Sequence, residues 1–166
     1  MKIYLIRHSN AVDPGTPGYE DDSLRPLTEK GRDKMKDIAS ALKELDVKPD
    51  LIVSSPYVRA QQTAEILAKV LKYKRELTFS DALVPMGNAD NIIGEINEKY
   101  SVDELVLVGH EPCFSTLISM LTAGNPDLNI NIKNGGVCCL SSDDLHTERK
   151  AVLEWLLTPK ILTELA

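Results

Sequence analysis

Two of the chain's three histidines stand at the ends of short apolar runs. His8 follows Ile3-Tyr4-Leu5-Ile6-Arg7, and His110 follows Leu105-Val106-Leu107-Val108-Gly109. A third run, Leu51-Ile52-Val53, ends in Ser54-Ser55-Pro56, and Arg59 comes shortly after it. Imidazole is a nucleophile and proton carrier near neutral pH, while guanidinium offers a planar fork that matches phosphate oxygens in pairs. Taken singly, a histidine after a strand is a packing or capping residue, and an arginine in a first helical turn is a solvated charge. Their coincidence is what points to chemistry. Arg7, His8, Arg59 and His110 together suit a dianionic phosphoryl group. Nearby cations lower an imidazole pKa and leave a nitrogen lone pair free to attack phosphorus. The remaining cations and the second ring then neutralise the equatorial oxygens. His8 is favoured as nucleophile because it adjoins Arg7, although the chemistry alone does not choose between His8 and His110. His146 lies in a polar stretch and reads as a surface histidine.

The elements that would position these groups follow from hydrophobic patterning. Runs at 2–7, 50–54 and 104–109 read as central strands of a sheet covered on both faces, and 76–80 as a weaker strand nearer an edge. Between them, 28–46 carries Met35, Ile38, Ala39, Leu42 and Leu45 on one stripe, and 57–72 carries Ala60, Ala64, Leu67 and Leu71. Further helices are predicted at about 89–99 and 113–123, and strands at 128–141 and 149–156 around a polar turn at 142–148, an antiparallel edge. Alternating strands and helices are the α/β signature. The expected fold is a single-domain, three-layer α/β/α sandwich around a mixed, mainly parallel sheet, spanning residues 1–166. Ligands in such sheets bind beyond the carboxyl ends of the strands, where all four candidate groups fall. Ser55 is a good helix N-cap with Pro56 at the first helical position, which would aim free N–H groups at an anion.

Segment 10–27 is different. It holds Pro14, Gly15, Pro17, Gly18 and Pro26 with Asp13, Glu20, Asp21 and Asp22, which excludes helix and central strand. A loop that long in a compact domain is functional or a solvated acidic excursion, and both readings stand. Asn134-Gly135-Gly136 forms a turn in position to approach the pocket.

Composition narrows the classes. The 166 residues carry 25 acidic against 19 basic side chains, a formal charge of −6, which disfavours nucleic acid and anionic membranes as partners. No apolar run is long enough to span a bilayer, and the N-terminus lacks a cleavable signal pattern. Three cysteines, two of them adjacent, make neither a disulfide framework nor a zinc-ligand pattern, so a reduced cytoplasmic protein is expected. Cys113, Cys138 and Cys139 read as small buried hydrophobes. No Gly-rich phosphate loop and no carboxylate cluster is present, so no metal or other cofactor is expected, and monomer is the default state.

These motifs resemble the histidine phosphatase superfamily (the phosphoglycerate-mutase-like fold), and within it the small SixA-type phosphohistidine phosphatases. The matching elements are Ile3-Tyr4-Leu5-Ile6-Arg7-His8, Arg25-Pro26-Leu27-Thr28 with Gly31, and Ser54-Ser55-Pro56 with Arg59-Ala60 and Gln62-Thr63-Ala64-Glu65. They continue with Val108-Gly109-His110-Glu111-Pro112 and Trp155-Leu156 followed by Pro159. The resemblance implies that His8 carries a transient phosphoryl group, and that Arg7, Arg59 and His110 form its pocket. It also implies an α/β/α sandwich. Two positions depart from the pattern. The first motif usually reads Arg-His-Gly, and here Ser9 stands third; a positive φ would strain a serine, whereas a negative one makes the swap harmless. Larger relatives place an acidic proton donor in an insertion after the third strand. Here 80–99 is short, and the donor is left open between Asp81 and Glu95. A phosphohistidine leaves as neutral imidazole and needs less acid than an alkyl phosphate does. The implied activity is therefore metal-independent hydrolysis of phosphohistidine on a phosphocarrier or histidine phosphotransfer protein. A small-metabolite phosphomonoesterase and a non-catalytic phosphate-binding module are the alternatives.

Overall fold

The computed structural model describes residues 1–143 and 151–166. His146 and most of the polar turn predicted at 142–148 lie outside the described residues. Six strands form one sheet in the order β3-β2-β4-β1-β5-β6. They are β1 (Lys2–Arg7), β2 (Leu51–Ser54), β3 (Thr78–Phe79), β4 (Glu104–Gly109), β5 (Val137–Ser141) and β6 (Val152–Leu157). β3, β2, β4 and β1 run parallel, while β5 is antiparallel to β1 and to β6. The short β3 lies at one edge and the antiparallel β6 at the other, as the patterning predicts.

Alternate residues of the central strands enter two separate cores. Ile3, Leu5, Leu105 and Leu107 pack with Ile92 and Ile96 of α3 (Ala89–Lys99) and Phe114 and Leu117 of α4 (Cys113–Ala123). Tyr4, Ile6, Val106 and Val108 pack on the other face with α1 (Glu29–Glu44), α2 (Val58–Val70) and Leu162 of α5 (Pro159–Leu165). Both faces are thus covered, and the three-layer sandwich follows. The three cysteines are free and buried within these cores.

Two boundaries and one added helix stand out against the patterning, each for a local reason. Strand β5 begins at Val137 rather than near 128, because Gly135 adopts φ +84° and turns the chain just before it. Helix α5 was not expected. Its seven residues are too few to show an amphipathic period, although Pro159 occupies a first-turn position and the Thr158 side chain accepts from the Ile161 N–H. Helix α2 starts at Val58, not at Pro56. Its N-cap is Tyr57, which makes no side-chain cap bond. Ser55 lies just past the end of β2, and its N–H donates to the Val108 carbonyl of β4 at 2.9 Å.

Loop 10–27 is tied down at both ends. Ala11 and Leu27 form an antiparallel bridge, and Asp22–Leu24 make one 3-10 turn. The loop base crosses α1 so closely that a Cβ at Gly31 would stand 2.0 Å from the Asn10 carbonyl oxygen. Only glycine fits there.

Candidate active site

Parallel pairing of β1, β4 and β2 brings their carboxyl ends to one edge: Arg7 lies opposite Gly109, and Ser54 opposite Val108. His8, His110 and Ser55 are the residues that follow. The His8 and His110 ring centroids are 4.9 Å apart, and Arg59 Nε donates to His8 Nε2 at 3.3 Å. Arg59 is buried, with 3% of its surface exposed, so it is not the solvated charge that a first-turn arginine usually is. Arg7 reaches the same edge, its Nη1 donating to the Ile132 carbonyl at 2.6 Å. All four sequence-nominated residues therefore share one edge, although no single hydrogen bond joins them all.

The protonation of His8 follows from its contacts. A carbonyl oxygen only accepts, so the 2.7 Å contact of Nδ1 with the Ser9 carbonyl places the ring proton on Nδ1. The Nε2 lone pair then faces Arg59. Burial is the main cause that lowers the His8 pKa to about 3, with Arg59, Arg7 and Arg25 adding to it against the opposing Ser9 bond. Neighbouring cations, to which the patterning assigns the effect, come second to desolvation. The ring is neutral at physiological pH and nucleophilic at Nε2. Ser9 does not have positive φ, so serine here is unstrained.

His110 is set by a different partner. Its Nε2 lies 2.9 Å from Ser55 Oγ, and that oxygen also accepts the Tyr57 N–H at 3.3 Å. Among the described hydrogen bonds His110 Nε2 is the one acceptor within reach of the Ser55 hydroxyl proton, which assigns the His110 proton to Nδ1. That Nδ1 is buried without a hydrogen-bond partner. Burial, then His8 and the arginines, lower the His110 pKa to about 2, so this ring too is a neutral donor. Ser55 thus serves the site through its hydroxyl and not as the helix cap read from the sequence.

The structure adds three residues that patterning alone did not nominate. Asp22 holds the end of the Arg59 guanidinium, its carbonyl accepting from Nη1 at 2.7 Å and its Oδ2 from Nη2 at 2.9 Å. This leaves the Nε edge of Arg59 turned toward His8. The other Asp22 oxygen pairs with Arg25 at 2.7 Å, and Arg25 is itself buried. The i, i+3 spacing of Asp22 and Arg25 was the available signal. Tyr57 closes a third side, its ring 5.3 Å from that of His110 and 5.0 Å from the Arg59 guanidinium carbon. The Gly135 turn reaches the site through backbone, its N–H donating to the Arg7 and His8 carbonyls at 3.1 and 3.2 Å.

The two carboxylates left open as proton donors have other partners. Glu95 binds Ser80 Oγ at 2.7 Å, Tyr100 and Lys99, and Asp81 opens the 3-10 turn Asp81–Leu83. Neither makes a described hydrogen bond to Arg7, His8, Arg59 or His110. Among the described residues, no group of three or more His, Cys, Asp or Glu is placed to hold a metal ion, and no helix is long and apolar enough to cross a membrane.

Residues 3–87 match the histidine phosphatase superfamily (branch 1), just over half of the chain. The chain belongs to this superfamily. It is 26% identical to the phosphohistidine phosphatase SixA of Escherichia coli over 126 residues, covering 75% of this chain and 76% of that one. The fold of the protein histidine phosphatase SixA, solved with tungstate, superposes with a TM-score of 0.83 at 23% identity over 98% of this chain and 99% of that one. The alpha-ribazole phosphatase of Shigella flexneri has the same fold, with a TM-score of 0.77 at 16% identity over 96% and 97%. This histidine phosphatase homologue is therefore a phosphatase related to SixA.

Proposed function

We propose that this phosphatase hydrolyses phosphohistidine on a protein, a phosphocarrier or histidine phosphotransfer domain, through a phospho-His8 intermediate. His8 Nε2 attacks phosphorus while its Nδ1–H, held by the Ser9 carbonyl, shares the developing positive charge. Arg7, Arg59 and the Nδ1–H of His110 meet the phosphoryl oxygens. Water then attacks phospho-His8 and releases inorganic phosphate.

The observation that carries the substrate assignment is the state of the carboxylates around Arg59. The one that touches its guanidinium, Asp22, also pairs with Arg25, and these partners lower its pKa despite partial burial. It is ionised and cannot donate a proton to an alkoxide. A protonated imidazole leaves without such a donor, whereas an alkyl phosphate requires one. The short 80–99 segment supports a protein-borne substrate, since it contributes only a 3-10 turn and α3 after β3.

The test is to incubate the protein with a histidine-phosphorylated carrier and, separately, with p-nitrophenyl phosphate. Expected are acid-labile phosphate on wild type but not on His8→Ala, and faster turnover of the carrier. Faster turnover of the aryl ester would instead favour the small-metabolite phosphomonoesterase, and binding without release the non-catalytic module.

A further inference from the structure

The backbone next to the nucleophile is held from two sides. The Gly135 N–H donates to the His8 carbonyl at 3.2 Å, one end of the His8–Ser9 peptide. At the other end the Ser9 N–H donates to Thr63 Oγ1 at 3.3 Å. Thr63 lies one helical turn beyond Arg59 in α2 and is fully buried, and it has no part in the site described above. Its hydroxyl proton is already committed, since Oγ1 donates to the Arg59 carbonyl at 2.8 Å. A hydroxyl has one proton and two lone pairs, so toward Ser9 the same oxygen acts only as an acceptor. Back-bonding of a threonine to the carbonyl one turn earlier brings a helix no stability of its own. The buried hydroxyl is explained instead by what it accepts. One oxygen thus joins the helix that carries Arg59 to the residue after His8, 54 positions away in the chain.

We propose that Thr63 is a positioning residue for phosphoryl transfer: by fixing Ser9 against α2 it holds the Ser9 carbonyl on His8 Nδ1 and so keeps the Nε2 lone pair free for phosphorus. The inference rests on the phospho-His8 reading above. The Ser9 carbonyl accepts from Nδ1 at 2.7 Å, and a neutral imidazole takes its tautomer from a partner of this kind. When Nε2 bonds to phosphorus, the bond from phosphorus to the leaving group breaks and its electron pair departs with that group. The Nδ1 proton stays on the ring, and the positive charge there is met by the Ser9 carbonyl. Without the Thr63 acceptor, Ser9 is free to turn its carbonyl off Nδ1. The ring proton then distributes over both nitrogens, and Nε2 is blocked in the fraction that carries it there. The competing account is purely structural, with Thr63 filling space between α2 and the end of β1.

Thr63→Val separates the two accounts, because it keeps the volume and removes the acceptor. The ring nitrogens are read by NMR on protein carrying 15N-labelled histidine, with the His8 signals assigned by their loss in His8→Asn. At pH 7.5 wild type should show the His8 proton on Nδ1 alone, and Thr63→Val a mixture of both tautomers. Formation of acid-labile label from labelled phosphoramidate should be about tenfold slower in Thr63→Val, and Thr63→Ser, which restores the hydroxyl, should recover most of the rate. A Thr63→Val protein with a lower thermal midpoint but the wild-type tautomer and labelling within twofold of wild type would overturn the proposal and leave the phospho-His8 reading standing. Either change without the other would overturn it too. Absence of label on wild type would instead remove the phospho-His8 reading and this proposal with it. Should Thr63→Val not fold, the same two measurements on Thr63→Cys, whose sulfur is only a weak acceptor, decide in the same sense.

Discussion

Acidification tests the electrostatics of the site directly. In the folded chain the His8 pKa is lowered to about 3 and that of His110 to about 2, mainly by burial. In the unfolded chain both return to about 6.5. The unfolded state therefore binds more protons whenever the pH is below that value. The stability these two neutral rings allow is present above pH 6.5 and is lost as the pH falls. At pH 5.5 each ring costs roughly 1.4 kcal/mol, and the pair about 3 kcal/mol, a large share of the roughly 5–15 kcal/mol of a small domain. Structural carboxylates interfere little in this interval. Asp22, for example, is held below the usual carboxylate range, Arg25 and Arg59 outweighing the effect of its burial, and loses its contribution only at lower pH. The assay is urea unfolding at pH 7.5 and 5.5 for wild type and for His8→Asn. Wild type should lose about 1.4 kcal/mol more over that interval than the variant. Equal losses would refute the claim that His8 is held neutral by the fold.

Two substitutions test the geometry around the rings. Arg59→Lys keeps the charge but loses the fork that joins His8 Nε2 to the carbonyl and Oδ2 of Asp22. Turnover should fall by about 100-fold or more, and the thermal midpoint should fall too, by an amount equivalent to roughly 1–3 kcal/mol; activity within fivefold of wild type would contradict the role. Ser55→Ala removes the hydroxyl that sets the His110 tautomer. Binding of inorganic phosphate, measured by calorimetry, should weaken about tenfold or more while the fold persists, and unchanged affinity would show that His110 needs no such partner.

How far the sequence led depended on how local each feature was. Central strands were legible because both faces of β1 and β4 are buried, so their apolar runs stand out against polar loops. The members of the site were legible because topology sends residues after parallel strand ends to one edge. What the residues do there was less legible. Ser55 has the side chain of a helix cap and the position of one, yet its N–H bonds the Val108 carbonyl of β4 and its hydroxyl lies against His110. Arg59 looks like a surface charge in its own helix and is buried among the distant Asp22 and His8 and its neighbour Tyr57. Both features depend on contacts between segments far apart in sequence, which no period or local propensity records.

The long acidic loop is where that limit matters most. Its proline and glycine content announces an irregular segment, and its exposed acids suggest solvation. The structure uses one of them differently. Arg25 and Arg59 are both largely withdrawn from solvent, and two like charges so placed are unfavourable without a counter-charge. Asp22 meets both of them, with one oxygen toward each. The loop must be long enough to carry that carboxylate from the end of β1 over to α2 and back to Thr28. The glycine at position 31 allows the returning chain to cross α1 without a clash. On this argument, length, acidity and the absence of a side chain at Gly31 serve one requirement: an anion of the chain's own that steadies Arg59 with its Nε edge toward the nucleophile.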